Sequence, residues 1–321
     1  MKNKMLKSCV VLGGGGFLGL NLCRRLAASG VRVRAFGRRS LFPEFLKEVE
    51  WYQGNFSDPS AVASAIESFD VIFHLIHDST PQSATLDMIG DVEHNLVPTL
   101  SLIKIAREVG SPRIIFISSG GTVYGQVTQI PTPETAPTDP ITAYGVSKLA
   151  IEKYLNLAER LYGLEHRVLR LTNPFGPFQV ALKNQGLIAA AISRALSDQT
   201  IEIWGDGTVV RDFLFVDDTI DALIAAANHE GKSRVFNIGS GQGRRVIDVV
   251  AAIEHVLNRK LKIRCDPQRP IDVPTSIVSI DRARNELGWS PKISFESGLQ
   301  KTIEWWRTHE AKISHIKNGK F

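Results

Sequence analysis

The first half of the chain alternates between short apolar runs and stretches whose apolar positions repeat with helical spacing. The runs at 8–12, 31–36, 51–54, 71–75, 113–118 and 166–172 predict β-strands. The stretches at 16–29, 59–69, 95–110 and 141–162 predict helices. The strands are nearly continuous in apolar residues, as in Ile114-Ile115-Phe116-Ile117, which is the pattern of strands covered on both faces. Repeated strand–helix units of this kind predict an α/β fold around a parallel sheet. After Asn173-Pro174-Phe175-Gly176-Pro177 the rhythm breaks and Pro/Gly punctuation increases. Helices are still predicted at 217–227 and 246–257, and 267–274 reads as a loop. There is no internal repeat and no low-complexity tract. The expected organisation is therefore a larger unit, residues 1–172 with roughly 212–240, and a smaller mixed α/β unit, residues 173–211 with 241–321.

Composition narrows the class. A chain of 321 residues exceeds one minimal core, and its 43% apolar and 22% charged residues are ordinary for a water-soluble globular protein. No apolar run approaches the roughly 20 residues of a membrane span. Met1-Lys2-Asn3-Lys4-Met5-Leu6-Lys7 leads directly into a strand pattern, so no signal peptide is expected. Cys9, Cys23 and Cys265 are scattered, which predicts free thiols in a reducing compartment such as the cytoplasm. The net charge of +5 is modest and the basic residues are dispersed, which argues against a nucleic-acid partner.

Candidate chemistry begins between the first strand and the first helix, where Gly13-Gly14-Gly15-Gly16-Phe17-Leu18-Gly19 has GxxGxxG spacing. Glycines there let the backbone turn tightly and approach a pyrophosphate, whose charge faces the N–H groups of the helix start. A glycine run alone could be a simple turn, but the strand–glycine–helix context points to a dinucleotide. An NAD site usually ends its second strand in a carboxylate for the ribose hydroxyls. Here the strand ends Phe36-Gly37-Arg38-Arg39. Guanidinium groups suit the 2′-phosphate of NADP. The alternative is a solvated basic turn with NAD held by other contacts. Asn55, after the third strand, is a candidate for the adenine.

Tyr144-Gly145-Val146-Ser147-Lys148 places a phenol and an ammonium four residues apart, on one face of a helix. An adjacent ammonium favours the phenolate, which predicts a general acid/base near neutral pH. The same spacing also arises by chance on helix surfaces. Its position one loop after the 113–118 strand of a dinucleotide fold favours the catalytic reading.

With these motifs in order, the chain resembles the extended short-chain dehydrogenase/reductase family, the NAD(P)-dependent nucleotide-sugar epimerases and dehydratases, over nearly its whole length. The matching segments are 13–19, Ile117-Ser-Ser-Gly-Gly-Thr-Val-Tyr-Gly125, 144–148, 173–177, Trp204-Gly-Asp-Gly-Thr208, Arg211-Asp-Phe-Leu-Phe-Val-Asp-Asp218, Asn237-Ile-Gly-Ser-Gly241 and Glu286-Leu-Gly-Trp-Ser-Pro291. The resemblance implies a Rossmann-type doubly wound sheet with a smaller substrate domain, and a homodimer through the helices at 95–110 and 141–162. It implies a cofactor set of Gly13, Gly16, Phe17, Leu18, Gly19, Arg38, Arg39, Asn55, Phe56, Leu75, Ile76, Asn95, Ser118, Tyr144 and Lys148. Tyr144 would take the proton of a sugar hydroxyl, and a Ser or Thr at the fifth strand's end would hydrogen-bond it. The family's usual hydroxyl position is Gly120 here, so Thr122 and Ser119 are the candidates to replace it. Dehydratases carry Asp-Glu where this chain has Gly121-Thr122, which disfavours water elimination.

On the substrate side the resemblance implies Gly120, Asn173 and Trp204 along the sugar nucleotide, Arg211 and Arg269 on its diphosphate, and Asp272 as a brace. Each arginine could instead serve a salt bridge, with Asp212 or Asp272, and Trp204 could be a core residue. Ser276 falls at a gate position where small residues accompany N-acetylhexosamine substrates. His74, His77 and Asp78 resemble a metal cluster in composition only, and a packing or cofactor-lining role is expected, with Ile76 and His77 narrowing the site. The expected activity is a nucleotide-sugar 4-epimerase. The rivals are an NADPH-dependent 4-keto reductase, which the arginines favour, and a non-catalytic dinucleotide sensor, which retention of Tyr144 and Lys148 disfavours.

Overall fold

A computed structural model describes residues 6–181, 186–267 and 273–317. The strands are β1 Ser8–Leu12, β2 Arg32–Gly37, β3 Glu50–Gln53, β4 Val71–His74, β5 Arg113–Ser119, β6 His166–Leu171, β7 Asn173–Phe175, β8 Ile201–Trp204, β9 Val210–Phe215, β10 Val235–Ile238, β11 Gly243–Arg245, β12 Ile263–Asp266 and β13 Thr275–Ser276. The helices are α1 Phe17–Ala28, α2 Pro59–Ile66, α3 Pro81–Leu86, α4 Met88–Asp91, α5 Val97–Glu108, α6 Ala143–Tyr162, α7 Leu187–Leu196, α8 Val216–Ala227, α9 Val246–Leu257, α10 Asp281–Leu287, α11 Phe295–Thr308 and α12 Glu310–Lys317.

Seven parallel strands form the main sheet in the order β10-β6-β5-β4-β1-β2-β3. The chain winds outward from β1 in both directions, so the switch point lies between β1 and β4. Ligands of open α/β sheets bind there, beyond the carboxyl ends of the strands. Alternate residues bury opposite faces. Val10, Leu12, Phe36, Ile72, Ile114, Phe116 and Val168 pack with residues of α2, α5 and α6. Cys9, Val11, Ala35, Phe73, Ile115 and Leu169 pack with α1, α8 and the second unit. That double burial explains the continuous apolar runs in the sequence.

The second half builds smaller layers. β9 pairs with β7 and β13 in parallel and with β11 in antiparallel, and β8 pairs with β12. The expected helix at 95–110 is one part of a broken element. It follows α3, α4 and a π-turn at Val92–Leu96. Turns of this type occur as single inserts, often at functional sites.

Helix α6 carries the Tyr–Lys pair, and its ends are locally encoded. Thr142 caps its start by accepting from the Gly145 backbone, and Gly163 ends it in a left-handed conformation at φ 70°. Its middle is tied to the sheet by a buried polar network. Glu152 pairs with Arg170 at 2.7 Å and accepts from Ser118 Oγ at 2.5 Å. Arg170 also donates to Tyr124, which donates to Asn237. Removing one partner of such a pair strands a buried charge, which costs about 3–5 kcal/mol. Arg170→Met should lower unfolding stability by about that amount in urea titrations, and the double variant with Glu152→Met should recover most of it.

Candidate active site

The glycine loop lies at the switch point. Gly16 caps α1 in an extended conformation with no side-chain hydrogen bond. Its close packing requires glycine: a Cβ on Gly19 would stand 2.1 Å from the Gly13 carbonyl oxygen, and one on Gly15 would stand 2.4 Å from that of Arg39. Ile76 borders the loop, 3.2 Å from where a Cβ on Gly13 would sit, and Leu75 N donates to the Leu12 carbonyl. Phe17 and Leu18 form the first turn of α1. An uncapped helix start with a flat glycine approach is a cradle that fits a pyrophosphate.

At the second strand's end Arg38 pairs with Asp78 at 3.2 Å, both largely exposed. Asn55 Oδ1 accepts from Ser57 N. Phe56 is buried with its ring 4.9 Å from that of His74, so its side chain belongs to the core. Two further residues of the expected cofactor set turn their polar groups elsewhere. Ser118 donates to Glu152, because β-strand alternation puts its side chain on the α6 face. Asn95 is buried and bonds Asp91 and the Asp78 backbone.

The Tyr144–Lys148 pair stands at the carboxyl end of β5. Lys148 is buried, donates from Nζ to the Ile117 carbonyl at 2.8 Å, and lies 5.6 Å from the Tyr144 ring. Burial pulls the Lys148 ammonium down to about 7, against the opposing charges of Asp91 and Glu152. Burial, reinforced by Asp91, pushes the Tyr144 phenol above its usual value. The expectation that the ammonium alone favours a phenolate is therefore corrected for the unliganded chain, because desolvation penalises both charges.

Asp91 is the residue that sequence reasoning missed. It is buried, and it accepts hydrogen bonds from Ser79 and Ser147 and from Asn95 Nδ2 at 3.0 Å. Ser147 lies inside the Tyr–Lys motif, so the broken helix before α5 is tied to α6 at the Tyr144–Lys148 pair. His77 stands with them, its ring centroid 4.5 Å from that of Tyr144 in an edge-to-face arrangement.

The loop after β5 shows why Gly120 carries no hydroxyl. A Cβ there would meet the Arg170 carbonyl oxygen and Val278 Cγ1, each at 3.0 Å. Gly121 lies between Ser119 and Ser276, whose hydroxyls would be in ordinary contact with a Cβ there, at 3.9 and 3.8 Å. Thr122 Oγ1 is buried and has no hydrogen-bond partner among the described residues. The Thr122 carbonyl packs on Gly145, beside Tyr144.

On the substrate side, Arg211 donates to the carbonyls of Val210 and Val273. Asn173 donates to the Asp212 carbonyl. The Asp212 carboxylate is fully buried and collects Ser240 N, Ser240 Oγ and Gly241 N, joining β9 to the loop after β10. Trp204 ends β8 and is 41% exposed, which makes it a surface residue rather than a core one. Arg269 and Asp272 lie outside the described residues.

Comparison with known proteins agrees with this geometry. The model of the NAD dependent epimerase/dehydratase family matches residues 9–239. The chain belongs to that family. It is 32% identical to a UDP-glucose 4-epimerase of Mycolicibacterium smegmatis over 93% of this chain and 98% of that protein. It is 28% identical to a dTDP-4-dehydro-6-deoxyglucose reductase of Escherichia coli over 92% and 96%. The crystal structure of a UDP-glucose 4-epimerase with UDP-glucose from Thermotoga maritima superposes with a TM-score of 0.89 at 32% identity, covering 94% of this chain and 99% of that one.

The buried ammonium has a thermodynamic consequence. Below about pH 7 both the folded and the unfolded chain hold the Lys148 proton, and the burial penalty is present in full. Between there and the ordinary value of 10.5 only the unfolded chain holds it, so the penalty fades as pH rises. Lys148→Met should therefore be more stable than the parent at pH 7, with the gap closing toward pH 10 in urea unfolding. A gap independent of pH contradicts the depressed value.

Proposed function

We propose that this protein is a nucleotide-sugar 4-epimerase acting on a UDP-hexose or UDP-N-acetylhexosamine. The observation that carries the reading is the grouping of Tyr144, Lys148 and an unpartnered Thr122 hydroxyl at the β5 end, with no carboxylate at positions 121 and 122. The cofactor is a nicotinamide dinucleotide, which supplies a hydride acceptor and donor and, when oxidised, a positive charge. Gly13, Gly16, Phe17, Leu18 and Gly19 would hold its pyrophosphate, with Leu75 and Ile76 beside them.

Tyr144 removes the proton of the sugar 4-hydroxyl, and Thr122 Oγ1 holds that hydroxyl in place, with Ser119 as the second candidate. Lys148 steadies the phenolate as it forms and would hold the ribose hydroxyls of the cofactor. The 4-keto sugar turns over within the site, and Tyr144 returns the proton after reduction on the other face. Asn173 and Trp204 would lie along the sugar nucleotide, Arg211 and Arg269 would bind its diphosphate, and Asp272 would brace the site. Gly121 and Ser276 leave space beside the sugar for an N-acetyl group.

A second reading, an NADPH-dependent 4-keto reductase, has one observation in its favour. Arg38 and Arg39 follow β2 where an NAD site carries a carboxylate, and a 2′-phosphate is a stronger partner for Arg38 than the exposed Asp78. NADP is therefore the nucleotide we favour slightly, in either activity.

Three unpaired cysteines fit a cytoplasmic protein. No helix among the described residues is long and apolar enough to cross a membrane. A homodimer is supported by the exposed apolar side chains Val146, Tyr154, Leu157 and Leu161 on α6 and Leu86, Met88 and Ile89 on α3 and α4, which pack against α6.

Incubation with UDP-glucose and with UDP-N-acetylglucosamine, without added nucleotide, should yield the 4-epimer with no net absorbance change from reduced nicotinamide. Consumption of NADPH with a 4-keto sugar nucleotide, and no interconversion, selects the reductase. Thr122→Ala should lower kcat by about 10²-fold with little change in thermal stability, since Oγ1 has no hydrogen-bond partner to lose among the described residues. Unchanged turnover assigns the hydroxyl role elsewhere.

A further inference from the structure

His77 is a buried polar side chain for which neither the fold nor the proposed mechanism provides a use. It follows β4, beyond the carboxyl end of the strand, where ligands of this architecture bind. Its side chain is only 7% exposed. Both ring nitrogens are buried, and neither has a hydrogen-bond partner among the described residues. Buried polar atoms of folded proteins are nearly always paired, and leaving one unpaired is destabilising. A ring that served only to pack against Tyr144 would be better as phenylalanine or leucine. The pairing partner is therefore sought in the ligand.

The surroundings define what that partner must be. Among the described residues, the ionisable groups that act on the ring are Asp91 from α4, Lys148 and Tyr144 from α6, and His74 from β4. Burial, then Lys148, then His74 keep the imidazole neutral. A neutral imidazole has one donor and one acceptor nitrogen. Asp91 Oδ1 lies 3.7 Å from Nε2, too far for a hydrogen bond but near enough to favour the tautomer with the proton on that nitrogen. The Asp91 carboxylate is held there by Ser79, Ser147 and Asn95, so this preference is built into the framework. Nδ1 is then an acceptor without a donor.

The ligand closest to that acceptor follows from the reaction. The proton passes from the hydroxyl oxygen to Tyr144, and the hydride passes from the carbon that bears that hydroxyl to the nicotinamide ring. A ring that takes hydride from that carbon lies beside Tyr144, and His77 is already in edge contact with Tyr144 at 4.5 Å. The nicotinamide carries a carboxamide whose NH2 is a neutral donor. We infer that His77 Nδ1 accepts a hydrogen bond from the nicotinamide carboxamide, making His77 a cofactor-contacting residue that fixes the face the nicotinamide presents to the sugar. This inference rests on the proposed use of a nicotinamide dinucleotide, and it holds for an epimerase and a reductase alike.

The test reads cofactor binding rather than turnover. NAD+, NADP+ and their 3-acetylpyridine analogues, in which a methyl group replaces the carboxamide NH2, are titrated by calorimetry into the parent and into His77→Phe, His77→Leu and His77→Asn. Phe and Leu retain apolar packing against Tyr144 and lack the acceptor, and Leu covers the case in which the Phe ring does not fit. The expected result is a loss of about tenfold in affinity for the natural nucleotide in the Phe or Leu variant, the size of one hydrogen bond, with the analogue binding equally to variant and parent. His77→Asn, which keeps an acceptor, should lie between. Equal losses for nucleotide and analogue mean that His77 only packs, and overturn the inference. Unchanged nucleotide affinity with a raised KM for the sugar nucleotide moves the contact to a sugar hydroxyl and overturns it as well. A parent that binds no dinucleotide overturns this inference and the proposed function together. Binding without epimerisation overturns only the epimerase.

Discussion

The site depends on one contact, the hydrogen bond from the buried Lys148 ammonium to the Ile117 carbonyl. An ammonium is held out of water only where the framework leaves it no alternative. Helix α6 supplies that framework through a series of ties along its length. Thr142 caps it, and Gly145 lets it approach the Thr122 backbone closely. Ser147 binds Asp91, and Glu152 binds Ser118 and Arg170. Each tie fixes the rotation of the helix, and together they leave Tyr144 and Lys148 beside the cleft at the carboxyl end of β5.

The electrostatics follow from the same burial. Without a ligand, desolvation raises Tyr144 and lowers Lys148, so both groups sit in their neutral forms more readily than in water. Asp91 raises both. A positive charge bound at the cleft would favour the phenolate, which couples cofactor binding to readiness for proton transfer. In the smaller layers, Asp212 of β9 plays the organising part. Its fully buried carboxylate gathers the 240–241 backbone, and its own carbonyl holds Asn173, so β7, β9 and the loop after β10 are tied at one residue.

How much of this was legible in the sequence follows from the range of each signal. Strands covered on both faces and amphipathic helices are written in local periodicity, and β1 to β6 with α1, α2 and α6 were legible within a few residues. The glycine loop and the Tyr–Lys spacing are local too. The short strands β7, β8, β9, β11, β12 and β13 are each defined by a partner distant in the chain, which local periodicity does not encode. The broken helix before α5 was hidden because Ile89 and Val92 are exposed and give no buried stripe. Motif comparison located the missing hydroxyl at Gly120, but the obstruction by Arg170 and Val278 is a tertiary fact. Ser118 was assigned to the cofactor from its place in the motif, whereas strand alternation turns its hydroxyl to Glu152. Asp91 lies four residues before Asn95, which hinted at a shared helical face, but its bond to Ser147 spans 56 residues.

The central claim is that Tyr144 and its neighbours run a closed cycle in which hydride leaves a sugar carbon and returns to it. A nucleotide hexose deuterated at carbon 4 tests this most directly, with product analysed by mass spectrometry and NMR. The account expects the epimerised product to retain deuterium at carbon 4, with none appearing in the medium or in excess added nucleotide, and Tyr144→Phe to abolish the conversion. Loss of the label to the medium or to free nucleotide, or conversion that survives Tyr144→Phe, would contradict it.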